Sequence, residues 1–409
     1  MNANVLPAEL QRFAGRITDT DAHEMIPAQE WVKVFGPETQ ALVDFFVEDV
    51  NQSEKQNKNT MNIPDYQGDI QPIAADVLAV KGARAPGAMN LDRRIDVMDA
   101  MGIGHQLYFP TGLALMGVSL YKCADDPAFM RRITGDRRAI AKRWFHLYNE
   151  WLRSVIAVSD RIRPAALLFG DTPEEIIALA EKHIKAGFKA VMYLPARQVP
   201  GGRSPAHPDL DPLWARLAEA NCVFTLHVES EGNRTNRDPW RNAPAFEGFQ
   251  EMGEFSNDPA FMASVHLPYE NFLAIMVLGG VFDRHPHLRM GVMEVGAHWL
   301  GPLIQRLDLW YKVTRRSAAA TQEVPTYRLP NPPSDYIKKN VRVTPYVFED
   351  VARYISTYDV GGVLTFSSDY PHVEGGKNAF ATFYNNLQGL GAAGLEDFFV
   401  NNGRLMFPD

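Results

Sequence analysis

Eight short apolar segments recur along this chain, most of them separated from the next by a helix-like stretch, and several end on a residue able to bind a metal ion. The first is Ile17 to His23, I-T-D-T-D-A-H. As a strand it projects Asp21 and His23 to one side, so that a carboxylate oxygen and an imidazole nitrogen come from adjacent rungs. A lone D-x-H also serves ordinary hydrogen bonding at strand ends, and the pattern gains weight from its company. Cys222 to Val228 carries His227, Arg289 to Val295 carries Glu294, and Val363 to Ser368 runs directly into Asp369. The other four strand-like segments are His105 to Thr111, Ile162 to Gly170, Lys189 to Leu194 and Val341 to Tyr346.

Helix signals lie between them. Leu91 to Gly102 spaces Ile95, Met98 and Met101 by three and stops on glycine. Pro127 to Arg161 is a long amphipathic stretch. Thr172-Pro173-Glu174-Glu175 forms a capping box with proline in the first turn, and Gly187 closes that helix. Asp211-Pro212 caps the helix carrying Leu213, Trp214 and Leu217, and a further helix runs from Tyr269 to Phe282. Alternation of this kind leads to a closed parallel barrel or a doubly wound open sheet. The ligand-type residues choose between them, because strands one, five, six and eight meet at one mouth in a barrel and are dispersed in an open sheet. The expected fold is therefore α/β, a distorted (β/α)8 TIM barrel in a single domain spanning 1–409. Residues 28–92 form a long insertion after strand 1, with a polar run from Asn51 to Thr60. Residues 229–267, which hold Trp240, Phe246, Phe249, Phe255 and Phe261, form a lid-like loop over the site after strand 5.

Composition narrows the function. A net charge of -8 and a pI of about 5.8, with no run of lysine and arginine, argue against a nucleic-acid partner. Two cysteines, Cys123 and Cys222, make no disulfide frame. The first residues lack the basic start and apolar run of a secretory signal, and no uninterrupted apolar stretch approaches the ~18 residues of a membrane span. The expectation is a cytoplasmic protein without a membrane partner. No G-x-S-x-G elbow and no glycine-rich phosphate loop occurs, so serine nucleophiles and nucleotides have no support.

The D-x-H strand end, the T-L-H of strand five and S-S-D-Y-P-H at strand eight together resemble the amidohydrolase superfamily. The branch they are most similar to contains the aminocarboxymuconate-semialdehyde and resorcylate decarboxylases. Gly279-Gly280-Val281-Phe282-Asp283-Arg284-His285-Pro286-His287-Leu288 resembles that branch's G-G-V-x-x-R-x-P-x-L turn, and Asn402 to Phe407 its C-terminal helix. The resemblance covers most of the chain. It implies a metal-dependent barrel enzyme whose ligands are Asp21, His23, His227 and Asp369, with Glu294 as a further ligand if a second ion is held. Mixed nitrogen and oxygen ligands suit zinc, iron or manganese.

At two points the chain departs from the pattern. Asp21 stands where many members have histidine or glutamate, and Glu294, with His298 four residues on, stands where the decarboxylases carry a catalytic histidine. That substitution ranks a metal-dependent hydrolase of a carbonyl compound (amide, ester, thioester or activated carbon–carbon bond) first. A non-oxidative decarboxylase or hydratase comes second. In the hydrolase, the ion lowers the pKa of a bound water from ~16 toward ~7 and Asp369 takes the proton as general base. Glu294 and His298 complete the catalytic set. His372, three residues past Asp369, faces the same side, whereas His105, His285 and His287 fall at the opposite end of the barrel. The aromatic loop and the long insertion, both at the mouth, suggest a small-molecule substrate that is sizeable or partly apolar, and the family resemblance suggests a homodimer.

Overall fold

The apolar runs become strands because both of their faces are covered, one by helices and the other by the barrel interior. All seven residues of the first strand are buried. The computed structural model describes residues 6–45, 61, 63, 65–74, 76–228, 243–246, 259–321 and 329–408. Its strands are β1 (Ile17–His23), β2 (Ile103–Phe109), β3 (Ile162–Leu168), β4 (Ala190–Tyr193), β5 (Val223–His227), β6 (Met290–Met293) and β7 (Val341–Val343). They form one sheet in chain order with every neighbouring pair parallel, a curled α/β half-barrel.

The eighth expected strand, Val363 to Ser368, is an extended segment rather than a regular strand. It makes one parallel bridge to each side, Val343 with Leu364 and Ala22 with Tyr370. Its backbone explains why. Thr365 N–H donates to Val343 O (3.2 Å), Asp369 N–H to Asp21 O (2.9 Å) and His23 N–H to Tyr370 O (2.8 Å), so both neighbours are engaged. Between these bonds, Phe366 N–H goes to Phe398 O (3.1 Å) and Ser368 N–H to the Asp19 carboxylate (2.8 Å). Two donors that a ladder needs are spent elsewhere, yet backbone hydrogen bonds still tie this segment to β7 on one side and β1 on the other.

Helices connect the strands: α1 (Leu91–Met101), α2 (Gly112–Lys122), α3 (Arg137–Ile156), α4 (Pro173–Lys185), α5 (Asp211–Glu219) and α6 (Leu267–Leu278). Asn90 Oδ1 caps α1 by accepting from Asp92 N–H (3.0 Å), and Gly102 at φ 69° ends it. The sequence does not announce α2, because residues 112–120 are all buried and carry no amphipathic period. Asp136 starts α3 later than expected by accepting from Ala139 N–H (3.0 Å). Thr172 Oγ1 accepts from Glu175 N–H (3.3 Å) as the capping box requires, while Glu175 reaches back one residue further, to Asp171 N–H (2.9 Å). Asp211 is not a cap. It lies inside α5 and accepts from Arg284 Nε (2.8 Å), with His285 Nε2 at 3.2 Å, which gives this arginine and histidine a structural role.

Residues 261–278 pass as a membrane-spanning helix by length and composition, but 44% of that stretch is buried, and α6 gives Tyr269, Phe272, Leu273, Met276 and Val277 to the core. The C-terminal segment closes the bottom of the barrel. Asn402 Nδ2 donates to Leu364 O (2.8 Å), and a Cβ at Gly403 would stand 2.1 Å from Thr18 Oγ1, so only glycine fits. Within the insertion 28–92 the described parts are short helical turns and irregular stretches, with Trp31 buried and donating to Ile26 O (2.8 Å). Its far end reaches the eighth segment, Tyr370 Oη donating to Pro86 O (2.7 Å). The polar run 51–60 lies outside the described residues, as do Trp240, Phe249 and Phe255 of the expected lid and the side chain of Phe246.

One buried histidine of this scaffold predicts an acid transition. His183 on α4 is 3% exposed and its Nε2 donates to Leu167 O (3.0 Å). Burial, with Lys182 nearby, pushes its pKa from 6.5 down to about 4, against the pull of the Leu167 bond. The folded value lies below the unfolded one, so the stabilisation is full above 6.5 and is lost as pH falls toward 4. The difference corresponds to about 3 kcal/mol. Denaturant unfolding should show stability dropping across that interval in wild type, and His183→Gln should flatten the drop by that amount. Identical pH slopes in the two proteins would rule the assignment out.

Candidate metal centre

The mouth of the barrel gathers five residues from four places in the chain. Asp21 and His23 lie on β1, His227 ends β5, Glu294 follows β6 and Asp369 lies in the eighth segment. Relative to β2, β1 carries one extra residue between Asp19 and Ala22, a bulge of the kind that re-aims side chains beside active sites. Asp21 Oδ1 lies 3.2 Å from both His23 Nε2 and His227 Nε2. Glu294 Oε2 lies 3.3 Å from His227 Nε2 and 3.7 Å from His23 Nε2, and Asp369 Oδ1 lies 3.4 Å from His23 Nε2. Two overlapping sets, Asp21, His23, His227 and Glu294, and His23, Glu294, Asp369 and His372, each bring their ligand atoms within 4.8 Å of one another.

The tautomers make this a cation site. His23 Nδ1 faces Pro110 O (3.2 Å) and His227 Nδ1 faces Val228 O (2.8 Å). A carbonyl only accepts, so each Nδ1 carries the hydrogen and each Nε2 turns a lone pair toward the carboxylates. Lone pairs facing anions repel unless a cation lies between them. Asp21 Oδ2, His23 Nε2 and Asp369 Oδ1 are accordingly buried without a hydrogen bond. The residues present fit a divalent ion. Burial, reinforced by His372, holds His23 down to about 4, which keeps its ring neutral.

Two of these carboxylates sit on strained backbone. Glu294 (φ 54°) and Asp369 (φ 49°) occupy the left-handed region, which non-glycine residues enter only when their surroundings hold them there. Glu294 N–H donates to Thr344 Oγ1 (2.8 Å), and Tyr346 Oη donates to Glu294 O (3.2 Å). His372 N–H donates to Asp369 O (2.8 Å). The His372 ring stacks on His23 at 3.8 Å, with Nε2 2.9 Å from Thr111 Oγ1 and Nδ1 3.1 Å from Asp369 Oδ1. Phe109 lies 4.6 Å from the His227 ring and supplies an apolar wall.

His298 stands apart from this group. It is half-exposed, with Nδ1 3.4 Å from Glu349 and its ring 4.8 Å from His266. Glu349 receives the Ala297, His298 and Tyr346 N–H groups, so it shapes the turn after β6. The residues that sequence reasoning passed over are Asp19, Glu24 and Thr111. Glu24 is fully buried and accepts from Ile26 N–H (2.9 Å) and Thr111 N–H (2.8 Å), and burial raises its pKa. Burial also pushes Asp19 up to about 6. The D-T-D-A-H spacing carried a signal for Asp19, a third acidic or imidazole group at the two-residue period of a strand.

A family model described as amidohydrolase matches residues 125–408. Among curated proteins, none matches the chain. Among solved structures, an amidohydrolase from Mycobacterium avium subsp. paratuberculosis K-10 superposes with a TM-score of 0.64 at 20% identity, covering 96% of this chain and 99% of that one. A 5-carboxyvanillate decarboxylase from Novosphingobium aromaticivorans DSM 12444, complexed with manganese and 4-hydroxy-3-methoxy-5-nitrobenzoic acid, gives 0.56 at 18% identity, covering 100% and 99%. A dihydroxybenzoic acid decarboxylase from Polaromonas sp. JS666, with manganese and the inhibitor 2-nitroresorcinol, gives 0.54 at 18% identity, covering 96% of each chain.

Proposed function

Since the chain belongs to the amidohydrolase family, we propose that it is a metal-dependent non-oxidative decarboxylase, a lyase acting on a small aromatic carboxylate. The single observation carrying this is the cluster of two imidazole lone pairs and three carboxylates around one point, in a fold shared over nearly the whole chain with manganese decarboxylases. It reverses the order in which sequence alone ranked hydrolysis and decarboxylation.

Asp21, His23, His227 and Asp369 would hold the ion. When bound, it supplies a Lewis acid that anchors a substrate oxygen and draws electrons from the ring. The chain's own groups supply the rest. Loss of carbon dioxide breaks the bond between ring and carboxyl carbon and leaves its electron pair on the ring, which needs one proton. Three carboxylates facing one dication leave a negative charge in excess, which favours a proton held within the cluster. Glu294 has the more exposed side chain, 12% against 9% for Asp369 and 1% for Asp21, so it is the carboxyl group placed to pass that proton on. Phe109, wholly buried, packs against His227 and backs that ring from the protein side.

The test is a panel of hydroxylated benzoates alongside amides, esters and thioesters, with purified protein and Mn²⁺. Stoichiometric release of carbon dioxide from at least one benzoate, with the ring recovered carrying hydrogen in place of the carboxyl group, is expected. Hydrolysis of an amide or ester with no carbon dioxide from any benzoate would return the hydrolase to first place.

A further inference from the structure

We infer that Asp19 is a positioning residue for the metal centre, its buried carboxylate setting where Asp369 stands relative to Asp21 and His23. The inference rests on the metal-dependent reading above. Asp19 is wholly buried, and its two oxygens receive four donors. Oδ1 accepts from Ser368 N–H (2.8 Å) and more weakly from Asp21 N–H (3.4 Å); Oδ2 accepts from Ser368 Oγ (2.6 Å) and Gln106 Nε2 (2.7 Å). One side chain thus touches the backbone of one ligand, Asp21, and grips by two atoms the residue just before another, Asp369.

That grip falls where the barrel's own ladder is interrupted. Ser368 N–H, which a regular strand would give to a neighbouring carbonyl, goes to Asp19 instead, and the next residue turns into the left-handed region. A conformation of that kind persists only when both of its flanks are held. Ser368 Oγ holds the far flank as well, accepting from Tyr370 N–H (3.1 Å). The circuit then closes behind the site. Tyr370 O accepts from Arg94 Nη2 (3.0 Å), and Arg94 Nε donates to Gln106 Oε1 (2.8 Å). Gln106 Nε2 donates back to Asp19. Arg94 is itself wholly buried, its guanidinium 4.9 Å from the Tyr370 ring centre and 5.3 Å from that of Tyr108. Asp19, Ser368, Tyr370, Arg94 and Gln106 form a closed hydrogen-bonded ring around the turn that carries Asp369. The amide of Gln106 fits in one sense only, its NH2 toward the anion and its oxygen toward the cation. None of these five residues belongs to the proposed ligand set, so they act on the ion through Asp369 and Asp21.

The test compares Mn²⁺ binding by metal-stripped wild type, Asp19→Asn and Ser368→Ala, following the free-ion electron paramagnetic resonance signal, with circular dichroism and thermal melts as the check on folding. Asp19→Asn keeps the shape but points an NH2 at donors. In the folded protein its Kd for Mn²⁺ should rise roughly 10- to 100-fold, the range seen when groups that orient ligands are removed. Ser368→Ala keeps the backbone bond and should show a smaller rise in the same direction. A folded Asp19→Asn protein with the wild-type Kd overturns the inference, because a merely structural role moves the melting temperature and leaves ion affinity alone. If Asp19→Asn does not fold, Ser368→Ala decides: a raised Kd supports the inference and an unchanged one overturns it. Wild type that binds Mn²⁺ but releases no carbon dioxide defeats the decarboxylase reading while the ratio of Kd values still judges Asp19. Wild type that binds no Mn²⁺ defeats both.

Discussion

His227→Ala is expected to yield a folded barrel that no longer retains a divalent ion and no longer turns over its substrate. The residue contributes an imidazole lone pair to the cluster, and it stands against two carboxylates at once, Asp21 at 3.2 Å and Glu294 at 3.3 Å. Without it the remaining ligands face one another with less neutral donor density between them. The contribution of a catalytic ion is several kcal/mol, so its loss corresponds to a fall in turnover of at least ~10³-fold. The fold should survive, since His227 is the last residue of β5 and the strand's pairing with β4 and β6 is made by backbone. Metal analysis and circular dichroism on the same preparation check both halves. Equal metal content in wild type and His227→Ala would remove this residue from the site.

Glu294→Gln should separate binding from proton transfer. Asp21, His23, His227 and Asp369 remain in the variant, so about one ion per chain should still be held. Carbon dioxide release should fall by ~10²–10⁴, the usual loss for a missing proton-transfer group. The amide keeps the size of the side chain and its backbone bonds to Thr344 and Tyr346, so the strained turn is undisturbed. A fall in bound metal instead would make Glu294 a ligand, and unchanged metal with unchanged turnover would leave it a strand-end carboxylate without a part in the chemistry.

Much of this site was legible in the sequence because the barrel places chemistry at strand ends. With the apolar runs read as the strands of a barrel, the strand ends carrying Asp21, His23, His227, Glu294 and Asp369 share one mouth, and in the structure their ligand atoms lie together. What stayed hidden has identifiable causes. Helix α2 is buried on all sides and has no amphipathic signature. The eighth segment reads as a strand by composition, but its donors go to Asp19 and Phe398, a matter of tertiary partners. The left-handed turns at Glu294 and Asp369 carry no local mark, since neither is a glycine or asparagine and the turns are held by Thr344, Tyr346 and Asp21 from elsewhere in the chain. His298 is four residues from Glu294 in sequence. The turn held by Glu349 carries it instead to the side of His266.

Metal dependence is tested most directly by stripping the purified protein with a chelator, restoring Mn²⁺ in steps, and measuring bound ion and carbon dioxide release on the same samples, with whichever hydroxybenzoate the panel identifies. The stripped protein should be inactive, and activity should rise in proportion to bound Mn²⁺ and level off at about one ion per chain. Full carbon dioxide release from the stripped protein, or saturation with Mn²⁺ without any, would contradict a metal-dependent decarboxylase.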